Sequence, residues 1–269
     1  MVIRKILAIM LLAMMLMPIT ASASGTDASS TLRSWNKTDK WQYVQLGQYM
    51  YEKDGTMAPV MWRVLHVEDG IMLMITEDVI DLCQPYHMDS KEDYDFYKVY
   101  KHKTGLPILE SYEETLLPEW FANTCWPVLI GDDPIGDAFV EESTGKLFCM
   151  STEEWTNTEY GFTKKTSTKP NPSRIAQATP YVKNKKLYDW SSRMTTYEDG
   201  YVGACYWTSS IRANERRMQI VGINGHLSWG GWIRINVGVR PAAKLDLSMV
   251  RIVSGTGTDK DPYVLERNN

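Results

Sequence analysis

The sequence predicts an α+β fold built on a mostly antiparallel sheet with a few short helices. Three observations carry that expectation. Runs rich in valine and aromatic residues recur along the chain, two junctions between such runs are Asp69-Gly70 and Asn224-Gly225, and helical patterns are short and stand beside the strands. Asp-Gly and Asn-Gly mark tight hairpins because glycine reaches positive φ at little steric cost. Strand pairs and short helices of this kind pack as one α+β core.

At the start of the chain, Arg4 and Lys5 precede the uncharged apolar run Ile6 to Met17, and Pro18 and Ala21-Ser22-Ala23 follow. This charged, apolar, small-residue order predicts a secretory signal peptide over residues 1–23. The run is short for a bilayer span and no later stretch approaches that length, so a product with no stable membrane span is expected, secreted or at the cell surface. No cysteine stands at the cleavage point to take a lipid. Residues 24–43 then read as an N-terminal extension and 44–269 as a single domain. A composition of 43% hydrophobic and 11% aromatic residues is enough to build its core. The formal charge of −4 becomes two units more negative without Arg4 and Lys5, which disfavours nucleic acid as a partner.

Val44 to Tyr51 and Val60 to Val67 predict strands, and Asp69-Gly70 turns the second into Ile71-Met72-Leu73-Met74-Ile75. Helices are expected over Tyr112 to Ala122 and Thr152 to Tyr160, the latter with Ser151 or Thr152 capping a first turn that carries Glu153 and Glu154. Pro170, Pro172 and Pro180 make Thr163 to Pro180 a long surface loop. Between Thr163 and Leu187 the cations Lys164, Lys165, Lys169, Arg174, Lys183, Lys185 and Lys186 occur without an acid, which reads as a solvated basic face. Arg217 to Ile223, Asn224-Gly225 and Leu227-Ser228-Trp229 form a second hairpin, and Gly238 to Leu247 and Tyr263-Val264-Leu265 supply closing strands.

The ordered set Leu46-Gly47-Gln48-Tyr49, Trp62-Arg63-Val64-Leu65, Leu73-Met74-Ile75-Thr76, Phe148 to Glu154, Tyr206-Trp207-Thr208-Ser209-Ser210 and Val239-Arg240-Pro241-Ala242 resembles a family of uncharacterised exported bacterial domains. Its last third is similar to the core shared by formylglycine-generating (sulfatase-modifying) enzymes and C-type-lectin-like domains. The resemblance spans most of the chain after residue 23. It implies a C-type-lectin-like fold and no particular activity, because fold does not fix function.

Catalysis does not carry over from the formylglycine-generating enzymes, whose reactive cysteine pair stands close together late in the domain; here the one late cysteine is Cys205. Cys83, Cys125, Cys149 and Cys205 allow three disulfide pairings in an oxidising compartment. The same residues read equally as buried thiols, Cys149 above all, within Leu147-Phe148-Cys149-Met150. No zinc spacing is present. His66, His87, His102 and His226 fall in no nucleophile–base signature, and the adjacent Glu153 and Glu154 diverge on a helix. No catalytic residue is assigned. Asp89, Glu92, Asp93 and Asp95, and Asp132, Asp133 and Asp137, are oxygen-rich clusters for which calcium is the one conceivable cofactor, yet neither fits a calcium loop.

The segment richest in recognition chemistry runs from Trp207 to Arg240. It gathers Trp207, Arg212, Trp229, Trp232, Arg234 and Asn236 around Gly222, Gly225, Gly230 and Gly231. Glycine lets a ligand approach the backbone, aromatics offer stacking faces, and arginine and asparagine offer directed donors. Trp229, Trp232 and Arg234 flank Gly230-Gly231, whereas Trp207 and Arg240 also read as framework. The expected function is a non-catalytic recognition module for an extracellular glycan, cell-wall polymer or protein. The alternatives are a catalytic relative of the formylglycine-generating fold with altered chemistry and a structural envelope component.

Overall fold

Ile71-Met72-Leu73-Met74-Ile75 shows no polar alternation, and a strand of that composition is stable only where both faces are covered. In the computed structural model of the chain it forms β4 (Ile71–Thr76), with Met72 and Met74 in one buried cluster and Leu73 and Ile75 in a second. The structure describes residues 25–83, 120–164, 171–185, 193–198, 200, 202–212, 217–232 and 237–268, with the backbone alone for residues 83, 211, 212, 217, 218 and 229–232. Asp69 and Gly70, at φ 50° and 78°, join β4 to β3 (Met57–Glu68), the turn their dipeptide predicts. β3 pairs in turn with β2 (Tyr43–Met50).

These strands are the middle of a seven-stranded sheet. Beyond β2 lie β14 (Tyr263–Arg267), β13 (Val250–Ser254) and β1 (Thr26–Asp27), and beyond β4 lies β12 (Ala242–Asp246). Every pair is antiparallel except β14 with β2. A five-stranded sheet runs in the order β10 (Leu227–Trp232), β9 (Arg217–Val221), β8 (Tyr206–Arg212), β11 (Val237–Val239) and β5 (Asp81–Cys83), with β11 parallel to β8. β6 (Met194–Thr196) and β7 (Val202–Ala204) make a small third sheet. The fold is mixed α+β and mostly sheet, as the sequence predicts.

The chain passes between the two larger sheets twice, from β4 to β5 and from β11 to β12. The crossings are stitched together: Thr76 N–H donates to Pro241 O at 3.0 Å and Ile80 N–H to Val239 O at 3.0 Å. Both sheets therefore feed both cores; Trp207 and Ile220 enter the first, and Tyr206 and Val221 the second. Residues 25–43, expected as an extension, are also part of the fold. Thr26 and Asp27 pair with Ile252 and Arg251, Asp27 caps α1 (Ala28–Thr31), and Ala28 and Leu32 are buried.

Of the helix expected over Tyr112 to Ala122, residues 112–119 lie outside the described residues; from Phe121 a π-helical turn (Phe121–Cys125) leads into α2 (Trp126–Leu129). α3 (Thr152–Trp155) carries the expected cap in full: Glu154 N–H donates to Ser151 Oγ at 3.3 Å and Ser151 N–H to Glu154 Oε2 at 2.6 Å. It stops well before Tyr160. Asn157 Oδ1 accepts the Glu159 N–H at 2.9 Å and starts a separate 3-10 turn, because an asparagine side chain competes with helical backbone bonding.

The surface loop expected over Thr163 to Pro180 is corrected in its second half. Residues 165–170 lie outside the described residues, but Asn171, Arg174, Ala176, Ala178 and Thr179 are buried, and Ala178 bridges to Val79. Small alanines and an arginine able to satisfy several carbonyls let a proline-containing segment run through the interior. The solvated basic face is reduced accordingly. Arg174 is wholly buried, and Lys185, just after α4 (Pro180–Asn184), is ion-paired with the buried Asp81, to which Tyr49 Oη donates at 2.6 Å.

Candidate functional site

The β9–β10 hairpin is closed by a loop from Gly222 to His226 that contains Asn224-Gly225. Gly225 has φ 75°, and a Cβ on it would stand 2.2 Å from Asn171 O, so the loop demands glycine both for conformation and for space. Asn171 N–H donates to Asn224 O at 2.7 Å and fixes the loop to the buried segment below it. Along the hairpin Leu227 and Ser228 oppose Val221 and Ile220, and Gly231 and Trp232 oppose Met218 and Arg217; Trp229 and Gly230 occupy the irregularity between. Arg212 opposes Arg217, so Arg212, Arg217 and Trp232 share one register row at the outer end of the sheet. β10 is the edge strand, and among the described residues no strand pairs with its outer side.

Three of the six candidate binding residues, Arg212, Trp229 and Trp232, thus stand on β8 and β10, Arg212 and Trp232 at their outer ends and Trp229 mid-strand, while Arg234 and Asn236 lie outside the described residues. Trp207 is corrected to a framework residue. It is 1% exposed and packs in the first core, where strand alternation turns it opposite to Tyr206.

Beneath the hairpin lies a hydrogen-bonded scaffold. Thr208 Oγ1 donates to Gln219 O at 2.8 Å, Ser209 N–H to Met150 O at 3.1 Å, and Thr152 N–H to Ser210 Oγ at 2.8 Å, which docks the start of α3 on β8. Arg174 Nε donates to Gly225 O at 2.8 Å, and its Nη1 to Trp155 O and Thr163 O, both at 3.0 Å. Tyr206 Oη donates to Arg174 O at 2.5 Å. Arg240 Nε donates to Thr76 O at 2.7 Å, its Nη1 reaches Tyr206 Oη at 3.3 Å, and its Nη2 stands 3.7 Å from Glu77 Oε2. Arg63 grips the same Glu77 through two bonds, Nε to Oε2 at 2.7 Å and Nη2 to Oε1 at 2.5 Å, and donates to Ser173 O at 3.0 Å.

This scaffold of Arg63, Glu77, Arg174 and Arg240 had only one sequence signal. An arginine inside the apolar run Val60 to Val67 must find a partner if the strand is buried, and Glu77 follows the next strand of the hairpin. Asp78, beside Glu77, is half-buried. Burial, reinforced by the Glu77 charge, pushes its carboxyl up to about 7 against the pull of Arg240, Arg63 and Lys183.

Cys125, Cys149 and Cys205 are free and buried, so none of them bonds to another. Burial raises all three thiols, Cys205 to about 11. A nucleophilic cysteine requires the opposite shift. Cys83 enters β5 opposite Val237, and only its backbone is described. His66 Nδ1 shares a hydrogen bond with Ser34 Oγ at 3.1 Å, and His226 bonds to Asn224 Oδ1 while burial and the Arg174 charge lower its affinity for a proton. Of the acidic clusters, residues 89–95 lie outside the described residues; Asp133 caps the turn Pro134–Ala138 and Asp137 pairs with Arg267 at 3.1 Å. Among the described residues no three His, Cys, Asp or Glu side chains converge as a metal site. Nor is any described helix long and apolar enough to cross a membrane.

Protein-family models, curated proteins and solved structures contain no match to this chain.

Proposed function

We propose that this chain is an exported C-type-lectin-like recognition module that binds an extracellular glycan, cell-wall polymer or protein without transforming it. The observation that carries the reading is the β10 edge. Exposed sheet edges are ordinarily blunted or covered, because their unpaired backbone groups invite association. Here the edge carries Trp229, Gly230, Gly231 and Trp232 and ends on the row Arg212–Arg217–Trp232. The hairpin is anchored at its loop by Arg174 on Gly225 O, and β8 by Thr152 on Ser210 Oγ, and anchoring of this kind preorganises a binding surface.

The fold part of the reading is supported by where the resemblance residues fall. Tyr206-Trp207 and Val239-Arg240-Pro241 meet at the parallel pairing of β8 with β11, where Gly238 opposes Tyr206. Trp62-Arg63 reaches the same scaffold through Glu77. Recognition is preferred to catalysis because Cys205 is pushed away from reactivity, and because Asp78, a carboxyl raised to about 7, stands at the sheet crossing and not on the β10 edge.

The test is a pull-down of the protein against envelope fractions and polymers of its source, comparing wild type with Trp232→Ala and Trp229→Ala. Saturable binding that disappears in either tryptophan variant, with unchanged thermal stability, is the expected result. Binding indifferent to both variants overturns the site, and turnover of any captured polymer overturns the non-catalytic reading.

A further inference from the structure

The parallel strands β2 and β14 stay together only from Tyr263 opposite Val44 to Val264 opposite Gln45. Past that point β2 bulges between Gln45 and Gln48. Gly47, at φ 71°, makes the bulge possible, since a Cβ there would lie 2.4 Å from Leu129 O. The sheet therefore parts in its interior and not at a rim. The opening is a cleft of about 280 Å³ with buried Ile135 and Leu265 among its lining and Gln45, Gln48, Asp133, Glu266 and Arg267 as its charged and amide residues.

Gln48, Asp133 and Glu266 stand exposed at the rim of the cleft and Gln45 is half-buried, and these polar groups have capacity to spare. Neither glutamine carboxamide is hydrogen-bonded among the described residues. Asp133 uses Oδ1 on the Ile135 N–H at 2.9 Å, which leaves Oδ2, and Glu266 meets Arg251 through Oε2 at 3.2 Å, which leaves Oε1. Arg267, also at the cleft, is already held by Asp137 at 3.1 Å and Pro134 O at 2.9 Å, so the cleft is not built to receive an anion. Two carboxamides that donate and accept, and two carboxylate oxygens that accept, complement a ligand whose every polar group also donates and accepts. Hydroxyl groups on a ring are that ligand, and their C–H faces suit an apolar floor. The volume is at the lower limit of small-molecule pockets, room for one ring.

We propose that the cleft between β2 and β14 binds a single sugar ring, a terminal monosaccharide unit, at a site separate from the β10 edge. Saturation-transfer NMR on the whole protein with glucose, galactose and N-acetylglucosamine, and with putrescine as a cationic probe, tests it. Transfer to at least one sugar is expected, weakened about tenfold by Gln48→Leu, the worth of one lost hydrogen bond, and unaffected by Trp232→Ala. Asp133→Asn, which retains an oxygen to cap Ile135, serves as the second variant should Gln48→Leu alter the melting temperature. No transfer to any sugar, transfer indifferent to both cleft variants, or binding of putrescine alone overturns the proposal. Loss in Trp232→Ala alone would also overturn it, by returning the sugar to the β10 edge.

Discussion

Arg174 and Asp78 show opposite fates of an ionisable group in this protein, a charge kept and a charge suppressed, and each makes a prediction at the level of a single side chain. Arg174 spends its guanidinium on the carbonyls of Gly225, Trp155 and Thr163. Arg174→Met keeps the stem volume but strands those acceptors, and an unsatisfied buried group costs about 1–3 kcal/mol. A loss of about 3–5 kcal/mol in urea unfolding is expected, only partly recovered by Arg174→Lys, whose ammonium lacks the planar fork. A loss under about 1 kcal/mol would mean that the carbonyls find other partners. Asp78 is the reverse case. Its carboxyl rises from 3.8 to about 7, so the native state holds its proton more tightly than the unfolded state does. That stabilisation is complete below the unfolded value and is lost as pH rises through about 7. Between about pH 5 and pH 8 the melting temperature of wild type should therefore fall more steeply than that of Asp78→Asn; parallel curves would show that Asp78 is ionised throughout.

Among the elements, the hairpins were the most legible part of the chain. Asp69-Gly70 and Asn224-Gly225 state their turns chemically, and the unbroken apolar run of β4 states that both its faces are covered. What could not be read was anything decided by a distant partner. The end of α3 depended on the side chain of Asn157, and the buried course of Asn171 to Thr179 depended on Arg174 finding carbonyls from three other segments. Trp207 was ambiguous because alternation assigns two faces without saying which is wet. Glu77 was missed because a lone acid in a loop looks the same whether or not an arginine awaits it. For the candidate site, the sequence located the strand that carries Trp229 and Trp232 but not the scaffold under it. Gly225→Ala tests the join between the two. It forces a side chain into φ 75° and against Asn171 O, and a loss of about 2 kcal/mol or more in chemical unfolding is expected. Gly225→Asn should fare no better, since tolerance of positive φ does not remove the collision; its recovery would assign the effect to backbone conformation alone.

In the molecule as a whole, two sheets share two cores through two stitched crossings, so neither sheet can open without disturbing the other. The buried thiols Cys125, Cys149 and Cys205, all in the first core, make that cooperativity measurable. Their reaction with a thiol reagent should be negligible in the native protein and should follow global unfolding in urea, all three together. Early labelling of one thiol would reveal a region that opens independently.

The seven-stranded sheet holds its last strand in its interior. β14, the final strand described, sits between β13 and β2, and it alone links the β1–β13 pair to the rest. A ribosome delivers β1 and β2 first and the strand that joins their halves after every other described strand. β1 must wait for β13, and the free flank of β2 for β14, while the strands between them are made. A nascent chain of this protein therefore carries the open flank of β2 until β14 is made, and a chain cut short before Tyr263 would leave that flank bare.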